Sequence, residues 1–228
     1  MAISFEKVES QAPSLVKLVK KAAFGLSKHG LDGQAAKVAL CLDHSGSMRA
    51  LYAKGVVQQL AERALALATQ FDDDGAIDVF LFDTSALHAG ELRLEDHVGG
   101  VDRLRTGRRM GTTDYAGAMR LVREHFADDG LPVYVLFVTD GSPDNRTLAK
   151  QELVAASQRN IFYKFLGVGE GPFDFLRRLD DLRGRPVDNA HFVEAEDIEA
   201  VGDAQFFDLL LEEYGEWLVA ARGAGFLY

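Results

Sequence analysis

Lys37-Val38-Ala39-Leu40-Cys41-Leu42-Asp43-His44-Ser45-Gly46-Ser47-Met48 decides the fold. Val38 to Leu42 are five consecutive apolar residues. A strand with no polar alternate face is covered on both sides, as in a parallel sheet sandwiched between helices. Where the apolar run ends, Asp43, Ser45 and Ser47 follow at alternate positions. One carboxylate and two hydroxyls are hard oxygen donors, the kind that suit Mg2+, Mn2+ or Ca2+.

Outward from this stretch, the chain alternates strand and helix patterns. An amphipathic helix over 10–27 precedes it, with Leu15, Leu18, Val19, Ala22, Ala23 and Leu26 on one face. Lys17, Lys20 and Lys21 form a solvated face, and residues before Ser10 read as a polar lead-in. A single helix is expected from Met48 to Gln70, ended by Asp72-Asp73-Asp74-Gly75, a solvated turn. Strand patterns follow at 77–82, 86–92, 131–139, 161–166 and 190–194. Helices are expected up to Phe126, over 146–158 and 173–182, and from Asp203 to Ala221 as one element. Alternation of this kind implies βαβ crossovers and an α/β fold: a doubly wound, mainly parallel central sheet flanked by helices. The expected organisation is an N-terminal helical extension over 1–35 and one domain over 36–228.

Composition narrows the function. The 228 residues are 47% hydrophobic and 26% charged, with a net charge of −10. That balance suits a globular domain with a sizeable core and argues against nucleic acid or an anionic membrane surface as partner. The single cysteine, Cys41, lies inside the apolar strand and reads as a buried core thiol. No disulfide is possible within the chain, which fits a reducing compartment. The N-terminal stretch lacks a signal-peptide pattern and no apolar run spans a membrane, so a cytoplasmic location is expected.

In doubly wound sheets, sites form at the carboxyl ends of strands where strand order reverses. Asp43 and Asp140 each follow an apolar strand, and Thr112 and Thr113 precede a helix. These segments can meet on one rim. Two carboxylates converging there repel each other and need a counter-charge, which a divalent ion supplies.

Asp43-x-Ser45-x-Ser47, then Gly111-Thr112-Thr113, then Thr139-Asp140-Gly141 resembles the metal-ion-dependent adhesion site of von Willebrand factor type A (vWA) domains. The resemblance covers roughly residues 36 to 222. It implies that Asp43, Ser45, Ser47, Thr113 and Asp140 surround a divalent cation, some directly and some through water. Mg2+ is the expected ion, and Ca2+ or Mn2+ can use the same ligands. The second motif commonly reads Gly-Gly-Thr, and Thr112 stands here in place of a glycine. Either Thr112 or Thr113 is then the ligand; Thr113 is favoured because Asp114 falls at the polar position that follows. The resemblance implies an adaptor without catalysis, whose metal engages an acidic side chain on a protein partner. LCLDHSGSM and GTTDYAGAM further resemble the bacterial TerF-like and TerY-like vWA proteins, which implies a role in a tellurium-resistance or metal-stress complex.

Neighbouring residues have plainer readings. Arg105, Arg108 and Arg109 form a solvated basic loop, or steer an acidic partner toward the metal. His44 reads as a supporting residue, and Asp83, Asp144 and Asn145 as turn caps. Among enzyme classes, the haloacid-dehalogenase Asp-x-Asp is broken by Ser45, a P-loop is absent, and no nucleophile elbow occurs. Gly167-x-Gly169-x-Gly171 has the wrong spacing for a dinucleotide turn and reads as a tight strand-to-helix turn. A metal-dependent phosphoester hydrolase is the alternative, and it requires a general base on the rim.

Overall fold

The computed structural model describes residues 2–127 and 130–227. Six strands form one sheet among them: β1 (Lys37–Asp43), β2 (Ala76–Phe82), β3 (Ala86–Arg93), β4 (Val133–Thr139), β5 (Ile161–Val168) and β6 (Ala190–Ala195). Their order is β3-β2-β1-β4-β5-β6. All neighbours are parallel except β2 and β3. Every residue of β4 and β5 is buried, and so is every residue of β1 after Lys37. That is why these strands carry no polar alternation. Burial of each large apolar side chain stabilises the sheet by roughly 1.5–3 kcal/mol.

One face of the sheet packs on α2 (Val16–Lys28), α4 (Val56–Phe71), α9 (Asp203–Leu211) and α10 (Tyr214–Gly223). The other face packs on α6 (Tyr115–His125), α7 (Arg146–Ala156) and α8 (Asp174–Asp180). Strand order reverses at β1: the chain leaves it for β2 on one side, and β4 lies on the other. Asp43 and Asp140 therefore end neighbouring strands at the switch point.

Three expected helices are divided. The expected helix over 48–70 is two, α3 (Arg49–Ala53) and α4. Gly55 separates them with a left-handed φ of 76°, a conformation cheap for glycine and costly inside a helix. The expected helix over 203–221 is likewise α9 and α10, divided at Glu213, whose φ is 61°. The polar lead-in contains α1 (Phe5–Gln11), capped by Ser4, with Val8 buried. Pro13 then begins a 3-10 turn, so α2 starts only at Val16. Short α5 (Gly100–Leu104) precedes the basic loop.

α2 shares the core of the sheet domain. Val19, Ala22 and Leu26 are buried in it. Lys21, on the solvated face expected for it, pairs with Asp203 at 2.6 Å.

Candidate metal centre

β1 delivers Asp43 to the rim fully buried. Its Oδ1 accepts from the Ser45 N–H at 2.8 Å and its Oδ2 from the Thr139 hydroxyl at 2.6 Å. Ser47 Oγ donates to Asp140 Oδ1 at 2.8 Å. That uses the one hydroxyl proton of Ser47, so Ser45 Oγ, 3.0 Å away, is the donor between the two serines. Asp43, Ser45, Ser47 and Asp140 thus form one connected run across the switch point, joined through the Ser45 backbone N–H and then through the two serine hydroxyls.

The Thr loop is docked beside this run. Ser45 and Gly111 form a parallel bridge, and the Gly46 N–H donates to the Gly111 carbonyl at 3.0 Å. The Thr113 N–H donates to Asp144 Oδ2, and the Asp144 N–H returns a bond to the Thr113 carbonyl, both at 3.0 Å. Thr112 is exposed, and its N–H donates to Thr84 Oγ1 at 3.2 Å. Thr113 is half-buried. The two threonines are therefore held differently, Thr112 toward the β2 end and Thr113 toward the loop after Asp140.

Burial raises both rim carboxylates. Asp43 is pushed up to about 6, with its bonds to Thr139 and Ser45 opposing the shift and Asp140 adding to it. Asp140 is raised as well, by burial, against its bond from Ser47. Two carboxylates that burial disfavours as anions, with two neutral hydroxyls beside them, fit a hard divalent cation. The residues that would hold it are Asp43, Ser45, Ser47, Asp140 and a threonine of the docked loop.

Sequence reasoning passed over the support beneath these residues. The Tyr115 hydroxyl lies 2.9 Å from Thr139 Oγ1 and 2.5 Å from the Gly141 carbonyl oxygen. It is buried at the first turn of α6, where Asp114 caps the helix by accepting from the Gly117 N–H. Tyr52 donates to the Asp43 carbonyl at 2.9 Å. An aromatic residue just after the Thr motif was the available signal for Tyr115. The glycine turn after β5 also serves the rim: a Cβ on Gly171 would meet the Asp140 carbonyl oxygen at 1.8 Å. Only glycine allows that turn to lie against Asp140.

His44 is buried, stands edge-on to the Tyr52 ring at 5.4 Å, and lies 3.6 Å from Asp83. Burial lowers its pKa, opposed by Asp83. Asp83 caps its own turn by accepting from the Ser85 N–H and pairs with Arg108 at 2.9 Å. Asn145 caps α7. Arg105 pairs with Asp102 and lies over the Tyr52 ring at 4.9 Å. Arg49, Arg105, Arg108 and Arg109 line a hollow of about 500 Å3 whose flanking segments run directly into Ser47 and Gly111.

A doubly wound sheet with an oxygen-lined switch point defines an α/β binding domain, and the chain belongs to the vWA family. The TerF-like family model, described as the vWA found in the TerF C terminus, matches residues 35–227. Among known proteins, the chain is 37% identical over 207 residues to the uncharacterized protein YcbR of Bacillus subtilis, covering 88% of this chain and 84% of that one. Solved structures share the fold. One is a von Willebrand factor type A protein from Catenulispora acidiphila (TM-score 0.54, 15% identity, 84% of this chain and 43% of that one). Another is the manganese-loaded TRAP protein of Plasmodium vivax (TM-score 0.50, 20% identity, 78% and 74%). A third is proximal thread matrix protein 1 from the mussel byssus with a zinc-occupied MIDAS motif (TM-score 0.52, 16% identity, 82% and 50%). The chain spans about half or less of the Catenulispora and mussel chains. No helix among the described residues is long and apolar enough to cross a membrane.

Proposed function

We propose that this chain is a divalent-cation-binding adaptor that engages a protein partner through a metal-ion-dependent adhesion site. The ligands are Asp43, Ser45, Ser47, Thr113 and Asp140, and the ion is Mg2+, with Mn2+ or Ca2+ able to replace it. The observation that carries this reading is the connected run Asp43–Ser45–Ser47–Asp140 at the switch point. Family membership and the metal-bearing relatives support it. With two formal negative charges around it and neutral hydroxyls besides, the cation stays electron-poor. Its free position then suits a carboxylate from the partner.

The surroundings favour an acidic partner. The arginine-lined hollow sets positive charge beside the rim of a chain whose net charge is −10. Ser47, Lys54, Asp140 and Glu170 line a second hollow of about 560 Å3 on the Asp140 side. The action is binding in the cytoplasm, in a tellurite or metal-stress complex, as the TerF-like branch suggests. Residues 1–35 are the extension and 36–228 the vWA domain of this adaptor.

The test is calorimetric titration of metal-stripped protein with Mg2+, Mn2+ and Ca2+, repeated on Asp43→Ala and Asp140→Ala. The expected result is one saturable site, weakened at least about 100-fold in both variants, beyond the 10–100-fold typical of losing an outer-shell group. Retention of an acidic peptide column should then require the metal. Full-affinity binding in Asp43→Ala sinks the ligand assignment. Phosphoester turnover that disappears in Asp43→Ala would replace the adaptor with a hydrolase.

A further inference from the structure

At the opposite end of β2 from the rim, three side chains converge that the vWA site does not use. Asp78 is the third residue of β2, His88 lies on β3, and His125 ends α6. His88 Nε2 stands 2.7 Å from Asp78 Oδ1, and His125 Nε2 stands 3.3 Å from the same oxygen. The ligand-type atoms of all three lie within 4.8 Å of one another. The two imidazole rings are 4.6 Å apart and both rest on Phe80.

The backbone is shaped for this meeting. Asp78 pairs with Glu91 and Phe80 with His88, and the register shifts between Val79 and Phe80. The extra residue on β3 reverses the parity of the strand. His88 and Glu91, three apart, therefore fall on the same face as Asp78 and Phe80. Without the bulge, His88 would point to the other side. His125 sits at the carboxyl end of α6, where the helix dipole favours positive charge. Glu91 is held by Arg93, which leaves Asp78 as the carboxylate of the group. Beside it opens a cleft of about 210 Å3, lined in part by Asp72, Asp74, Asp78, Glu91 and His125.

We propose that Asp78, His88 and His125 form a second metal site, for Zn2+ or a similar borderline first-row ion. Two imidazole nitrogens and one carboxylate oxygen are ligands that zinc accepts in its tetrahedral sites, and they differ in kind from the all-oxygen rim. Three protein ligands leave the fourth position to water or to a group entering from the cleft. The ion ties the edge strand β3 and the end of α6 to β2.

The experiment is Zn2+ titration of the metal-stripped full chain in excess Mg2+, which occupies the rim. The result expected is one equivalent of Zn2+ bound equally by the wild type and Asp43→Ala, with a rise in the thermal midpoint. His88→Gln, His125→Gln and Asp78→Asn should each weaken that binding at least tenfold, with circular dichroism reporting the fold of each variant. Co2+ added to the unmodified chain should give the intense visible absorption of a four-coordinate site with nitrogen ligands, a readout that needs no variant. Zn2+ uptake that vanishes in Asp43→Ala, or persists in the folded His88→Gln/His125→Gln double variant, overturns the proposal. So does a Co2+ spectrum of the weak, six-oxygen type.

Discussion

Two of the chain's buried ionisable groups, Lys164 and Asp43, are finished differently. Lys164, in the middle of β5, is fully buried. Its ammonium donates to the Leu209 carbonyl at 3.0 Å, the Glu212 carbonyl at 2.8 Å and His191 Nδ1 at 2.6 Å. In the ammonium form three N–H groups meet three acceptors, so the donor inventory is closed. Asp43 is as deeply buried, but its two oxygens take bonds from the Ser45 N–H and the Thr139 hydroxyl and retain further lone pairs. It is also linked to a second carboxylate through the Ser45 N–H and the hydroxyls of Ser45 and Ser47. Burial of a charge is common to both regions and does not mark a site. Spare acceptor capacity separates them: the Lys164 knot holds the end of α9 to the sheet, whereas the Asp43 rim keeps the lone pairs that the proposed cation would use.

The comparison breaks if the two regions cannot be altered separately. Lys164→Met strands two carbonyls and an imidazole without their donor. It should destabilise the protein by about 2–5 kcal/mol, at roughly 1–3 kcal/mol for each unsatisfied group after partial relaxation. Chemical denaturation measures that, and Mg2+ affinity in the same variant should be unchanged. A parallel loss of metal binding would show that the knot and the rim are one cooperative unit. Thr139→Val works the other way. It removes the hydroxyl between Tyr115 and Asp43, which would orient the proposed ligand without being one. Metal affinity should fall about 10–100-fold, while stability falls by only about 1 kcal/mol.

The rim could be read from the sequence, and the knot could not, for a physical reason. Asp43, Ser45 and Ser47 sit within five residues at the end of an apolar run, so the short loop that follows β1 keeps their oxygens in one place. Asp140 follows the same pattern after β4, and sheet topology brings the two together. Lys164 finds its partners at Leu209, His191 and Glu212, from 27 to 48 residues away. No local spacing announces such a meeting; the one signal was a lysine inside an otherwise apolar strand. His88 and His125 stayed hidden for a related reason, because the bulge that turns His88 toward Asp78 reverses the parity of the strand. The breaks at Gly55 and Glu213 were missed because the apolar period continues across both.

Proton linkage sharpens the contrast. Burial pushes Lys164 down to about 7, against Glu212, Glu213 and Asp180, from an ordinary 10.5. Burial and the adjacent Lys164 push His191 down to about 4, which leaves it a neutral acceptor. Between pH 7 and 10.5 the unfolded chain then binds more protons at Lys164 than the folded one. Stability should therefore rise with pH across that window, with a slope of at most about 1.4 kcal/mol per pH unit. Denaturation at pH 7.5 and 9 measures it, and Lys164→Met should flatten the slope. A flat profile across that window would mean that the three acceptors hold the ammonium charged in the folded chain as it is in the unfolded one.

The smallest effect belongs to the arginines beside the rim, and it asks whether the open site recruits its partner from a distance. Arg108 is committed to Asp83 and Arg105 to Asp102 and Tyr52, whereas Arg109 is exposed next to Met110 and Gly111. An exposed charge acts on encounter more than on the bound state. Arg109→Ala should slow association of an acidic peptide about two- to fivefold at low ionic strength, and the difference should fade as salt shortens the screening length. Dissociation and Mg2+ affinity should be unaltered. Stopped-flow rates at two salt concentrations decide it. If the dissociation rate changes instead, Arg109 touches the bound partner, and the recognition surface extends from the metal into the arginine-lined hollow.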